Sequence, residues 1–192
     1  MASFGIALEG GVLYTTTPLG VLVAIEPSTG RTLWKYDPEV YKNGRPPNLG
    51  FTHRGSAYWT DGTRKRIIGG THDAHLVSVD AETGKILWST DQAGHANTIV
   101  ADGKLILFND KGEVILARLG TDEYEELARA QVFDDEICWS PAALSRGRLF
   151  LRTQSRAVCL YLGKHPLESK KPVQTIAAIP RSSSFNPTPL LG

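Results

Sequence analysis

The side chains spaced for chemistry are few. His72-x-x-His75 encloses Asp73, and two imidazoles with a carboxylate are metal ligands in kind. On a strand–turn–strand hairpin, however, the two rings need not converge, and no third or fourth ligand is fixed by spacing. Asp73 reads better as the acid that holds the turn before Leu76. His95 and Asn97 read as partners of loop backbone. Asp134-Asp135-Glu136 and Glu123-x-Glu125-Glu126 read as solvated loops or edge-protecting charge. The sequence contains no Ser-His-Asp order, no phosphate-binding loop and no Cys-x-x-Cys pair.

The elements that must carry these residues announce themselves by repetition. Leu22-Val23-Ala24-Ile25-Glu26-Pro27-Ser28-Thr29-Gly30-Arg31-Thr32-Leu33-Trp34 returns as Leu76-Val77-Ser78-Val79-Asp80-Ala81-Glu82-Thr83-Gly84-Lys85-Ile86-Leu87-Trp88, without a gap. A fixed period of this size marks a repeat architecture. Each copy holds an alternating strand, an acidic-x-x-Thr-Gly turn and a second strand ending in Trp, which is the make-up of a β-propeller blade. Glu26 and Asp80 can accept hydrogen bonds from turn N–H groups two and three residues on. Gly30 and Gly84 supply a backbone conformation that a Cβ would penalise. Trp34 and Trp88 are flat enough to cover the gap between neighbouring sheets.

The pattern predicts four blades, at about 12–37, 53–91, 96–133 and 137–163. The first shows three strands, its opening strand missing or damaged. The second is complete. The third keeps four strands but has lost the Thr-Gly turn and the closing Trp. The fourth stops short of its outer strand. Residues 164–192, with Ser182-Ser183-Ser184 and Pro187-Thr188-Pro189, read as a disordered or loosely docked tail. The expected fold is therefore all-β, an arc of about three and a half four-stranded blades. Cys138 and Cys159 fall on the first and third strands of the fourth blade, too far apart for a disulfide, and both are expected to be buried free thiols.

Composition narrows the class further. The chain has 192 residues, with 21 basic side chains against 20 acidic ones. No basic stripe suggests nucleic acid, and no apolar run is long enough for a spanning helix. Met1 to Glu9 lacks the basic start and apolar stretch of a signal peptide, so localisation is not fixed by the sequence.

The repeated turn and Trp resemble the tryptophan-docking motif of pyrroloquinoline quinone (PQQ) type propellers. That superfamily holds quinoprotein alcohol and sugar dehydrogenases as well as cofactor-free scaffold proteins, and its members resemble closed rings of about eight blades. The resemblance implies that this arc is a truncated or internally deleted relative. Phe51-Thr52-His53-Arg54-Gly55-Ser56 resembles the segment in which an Arg before a Gly contacts the quinone. By that resemblance Arg54 is a cofactor contact, and a guanidinium fork suits a tricarboxylate that gains negative charge on reduction. Thr71 sits near the family's second contact. The plainer reading pairs Arg54 with a neighbouring acid and leaves Thr71 in a turn.

Other features depart from the enzymes. Asn48 and Leu49 stand where methanol-dehydrogenase-like members carry adjacent cysteines. Ser3 falls nearest the usual acid ahead of blade one, and Glu9 lies too close to the strand. The catalytic Asp belongs to later blades, and no acid cluster suggests a calcium site. The resemblance thus implies PQQ with Ca2+ as the cofactor of any active form. The chain itself reads as a non-catalytic scaffold, with a PQQ-dependent alcohol or sugar dehydrogenase completed by further blades as the alternative. Its expected partners are a second copy of itself or the missing blades, with no nucleic acid.

Overall fold

The computed structural model describes residues 6–44 and 55–163. Fifteen strands form four antiparallel sheets, each laid out in sequence order. Blade one contains β1 (Ile6–Glu9), β2 (Val12–Thr16), β3 (Leu22–Ile25) and β4 (Thr32–Tyr36). Blade two contains β5 (Ser56–Thr60), β6 (Lys65–Gly70), β7 (Leu76–Asp80) and β8 (Ile86–Thr90). Blade three contains β9 (Ala96–Ala101), β10 (Lys104–Asn109), β11 (Glu113–Arg118) and β12 (Glu126–Gln131). Blade four contains β13 (Ala143–Ser145), β14 (Arg148–Arg152) and β15 (Ala157–Tyr161). Three apolar clusters stitch blades one to two, two to three and three to four. Among the described residues no such cluster joins blade four to blade one, so the sheets form an open arc.

The repeat holds down to its irregularities. β3 and β4 slip register between Ala24 and Ile25, and β7 and β8 slip between Ser78 and Val79, at equivalent places in the two copies. The slip sets each Trp on the face toward the following blade, where Trp34 pairs across from Ala24 and Trp88 from Ser78. The Trp34 indole N–H donates to the Ala81 carbonyl at 2.9 Å.

The two turns differ by one methylene. Asp80 accepts the N–H groups of Glu82 and Thr83 at 3.1 and 2.8 Å. Both acids accept the turn Thr hydroxyl, Asp80 that of Thr83 at 2.7 Å and the longer Glu26 that of Thr29 at 2.5 Å. Gly30 and Gly84 both take φ near +70°. An added Cβ on Gly84 would lie 2.6 Å from the Trp34 ring, whereas nothing lies within 4 Å of the same position on Gly30. Gly30→Ala should therefore cost about 1–2 kcal/mol of backbone strain alone. Gly84→Ala should cost a further ~1–3 kcal/mol, because the Trp34 ring must move. Denaturant midpoints of the two variants would test the difference; equal costs would mean Trp34 does not rest on this turn.

Several expectations need correction. Blade one has its opening strand: β1 pairs with β2 from Ile6↔Thr15 to Glu9↔Val12. Its four residues show no alternation, and the signal lay instead in the Gly10-Gly11 pair, both at positive φ, which closes the two-residue hairpin. Blade four begins at Ala143, not Ile137. Cys138 thus lies in the loop before β13, buried against blades three and four, and only Cys159 is on a strand. Both thiols are free, but Cys159 is exposed. β15 turns Val158 and Leu160 toward blade three and Cys159 away from it. The tail reading for 164–192 lies outside the described residues.

Candidate functional site

The sequence candidates converge on the turn that joins β6 to β7. Its backbone closes through the Thr71 N–H to the His75 carbonyl at 2.7 Å. The buried Thr71 hydroxyl donates to the Asp73 carboxylate and accepts the His75 N–H at 3.1 Å. Asp73 also meets His75 Nδ1 at 3.3 Å. Partial burial works against ionisation of Asp73, but the Thr71 hydroxyl and His75 outweigh it and hold the carboxyl below its usual range.

His72 and His75 do not share a site. His72 is buried against Gly20 in the β2–β3 turn of blade one, its Nδ1 3.1 Å from where a Cβ on Gly20 would stand. His75 is half exposed beside Asp73. Among the described residues no three His, Cys, Asp or Glu side chains group as metal ligands. Arg54 lies outside the described residues, next to the buried Gly55.

Loop bonding falls to a different residue from those expected. Asn109, not Asn97, donates from its amide to the Ala93 carbonyl at 3.2 Å and to Glu113 at 2.6 Å. Among the described residues His95 takes part through its carbonyl, which accepts the Asp110 N–H. Three acids of the two runs are paired rather than merely solvated. Glu125 meets Arg118, Glu126 meets Arg129, and Glu136 meets Arg156.

Sequence reasoning missed Arg66. Its side chain is buried and donates to the Thr121 carbonyl, with Asp122 at 3.3 Å. Its guanidinium lies 5.7 Å from the Trp59 ring centre. Blade two thereby grips the β11–β12 loop of blade three, and Trp88 meets Tyr124 of that loop at 5.8 Å. The available signal was position: Arg66 alternates with Ile68 in an otherwise buried strand.

A groove of about 220 Å3 runs between blades one and two, lined by Tyr14, Trp34 and Tyr58 among others. Lys65 and Glu82 neutralise each other within it at 2.8 Å, so these two leave it no net charge to offer a ligand.

Residues 6–100 match the PQQ family described as the glucose/ethanol/alcohol dehydrogenase β-propeller domain. The chain belongs to this PQQ β-propeller family. The dehydrogenase subunit of alcohol dehydrogenase (quinone) from Gluconobacter oxydans (strain 621H) is 34% identical over 136 residues, covering 67% of this chain. The chain spans 17% of that relative's length. BamB from Moraxella catarrhalis superposes with a TM-score of 0.63 at 15% identity, over 84% of this chain and 46% of that one. Quinohemoprotein alcohol dehydrogenase from Comamonas testosteroni gives 0.61 at 18% identity, over 80% and 29%. At these identities the solved structures establish the fold alone.

The PQQ relatives raise the question of cofactor fit. Among the described residues no site for PQQ with Ca2+ is shown: the Thr71 hydroxyl faces Asp73 and the His75 carbonyl, and no three His, Cys, Asp or Glu side chains group to hold a cation.

Proposed function

We propose that this PQQ-family chain is a non-catalytic scaffold module, whose working parts are its blade flanks and turns. The carrying observation is the Thr71–His75 turn. At the place where the family resemblance puts a cofactor contact, Thr71, Asp73 and His75 are spent on one another. The alternative is a PQQ-dependent alcohol or sugar dehydrogenase completed by blades outside these residues. Its support is the identity with alcohol dehydrogenase (quinone) subunits and the sequence resemblance of the Arg54-Gly55 segment. The β5–β6 register begins at Ser56↔Gly69, so Gly55 belongs to the same end of blade two as Thr71.

Reconstitution with PQQ and Ca2+, followed by dye reduction with alcohols and aldoses, separates the two readings. The scaffold reading expects no turnover, and expects Arg54→Ala to change stability by no more than about 0.5 kcal/mol. Turnover that disappears in Arg54→Ala would overturn it. Arg54 would then be an electrostatic clamp on the reduced quinone.

A further inference from the structure

The two ends of the arc expose complementary kinds of blade flank. On blade one the pleat turns Tyr14, Leu22 and Ala24 toward blade two and Leu13, Val23 and Ile25 away from it. By the repeat offset these three are the equivalents of Ile67, Val77 and Val79. In blade two those residues are 1%, 2% and 0% exposed, packed against blade one. In blade one the same positions are only partly buried, and Leu8, paired with Leu13, is 63% exposed. The turn repeats the asymmetry: Gly84 lies under the Trp34 ring, and the equivalent face of Gly30 is bare. Among the described residues nothing fills, on blade one, the surface by which blade two receives its predecessor.

Blade four ends the arc with the opposite flank. β14 turns Leu149 and Leu151 toward blade three and leaves Phe150 outward. Cross-strand pairing sets Ala143, Phe150 and Cys159 in one row and Arg148 beside Tyr161 in the next. Phe150 is 45% and Tyr161 39% exposed. In blade three the corresponding row, Ile99, Ile106 and Leu116, packs on blade four.

We propose that two copies of this chain close head to tail, blade four of each docking on blade one of the other. The new junctions continue the sense of the three already inside the chain. Each copy contributes four sheets, and one copy covers 46% of the BamB chain it superposes on, so two copies amount to about one fold of that size. A two-fold axis makes both junctions identical and closes the assembly, where an unclosed contact of this kind would run on as a filament. This inference rests on the scaffold reading and names its partner. Dye turnover would overturn that reading and leave the assembly standing.

Sedimentation velocity of the full chain across micromolar concentrations should give one species at twice the 20.9 kDa of a single chain. Val23→Lys and Phe150→Asp, each alone, should sediment at the single-chain mass. Mixed in equal amounts they should recover the doubled mass, because one junction is then unaltered and the other sets Lys against Asp. Three outcomes overturn the proposal: a monomeric parent chain, a Val23→Lys variant that remains dimeric, or a ladder of ever larger species. Should either variant fail to fold, alkylation of Cys159 in the parent chain decides. Protection that rises with protein concentration supports the closed pair, and a constant rate overturns it.

Discussion

Trp88→Ala should lower the unfolding free energy by about 3–5 kcal/mol, the range for truncating a buried aromatic side chain. The indole is 7% exposed and belongs to the cluster of Trp59, Ile68, Leu76, Leu105 and Leu107 between blades two and three. Its ring stands 5.8 Å from Tyr124 at an interplanar angle of 58°. Blade three offers no Thr-Gly turn for it, so Tyr124 supplies the platform that Ala81 and Gly84 supply to Trp34. Trp34 is only partly buried, and Trp34→Ala should cost less. Denaturant titration with an unchanged slope is the check; a cost near zero would place Trp88 on the surface.

Phe108→Ala should cost a comparable ~3–5 kcal/mol, through a different junction. Phe108 is buried between blades three and four, its ring edge-on to Phe133 at 6.1 Å. The Arg156 guanidinium also lies over the Phe133 ring, 5.3 Å from its centre. Removing Phe108 therefore opens a cavity beneath a loop that has no strand of its own to hold it. Trp88 and Phe108 lie in separate clusters. Because contacts in a repeat fold run between neighbours, the double variant should show the sum of the two costs within about 0.5 kcal/mol. A larger departure would mean the two junctions share a deformation across blade three.

The features read most fully from sequence were those written twice, while blades three and four were placed by strand alternation and turn signals alone. The 54-residue repeat located two blades, their turns and their tryptophans, and the matching register slips follow from the same residues. β1 escaped because an edge strand pairs through its backbone, and Ile6–Glu9 has no alternation to betray it. Cys159 was expected inside because strand membership alone does not say which face a neighbour covers. Arg66 escaped for a related reason. A charged side chain in a strand reads as solvent-facing until the Thr121 carbonyl that accepts from it is known. At the candidate site, the Thr71 turn was legible as a turn, while the commitment of its hydroxyl to Asp73 depended on three-dimensional placement. Arg54, the sharper candidate, stands beyond the described residues.

Each sheet is a run of successive hairpins, and each apolar cluster unites only consecutive blades. On the ribosome this arrangement lets folding follow the order of synthesis, since no early strand waits for a distant one. Blade one can pair its own strands as soon as Tyr36 has emerged. Its inner face, from Tyr14 to Ala24, stays uncovered until Ile67, Val77 and Val79 follow. Each new blade therefore covers the flank that the blade before it had left open, while the first flank, at Leu13, Val23 and Ile25, stays open throughout.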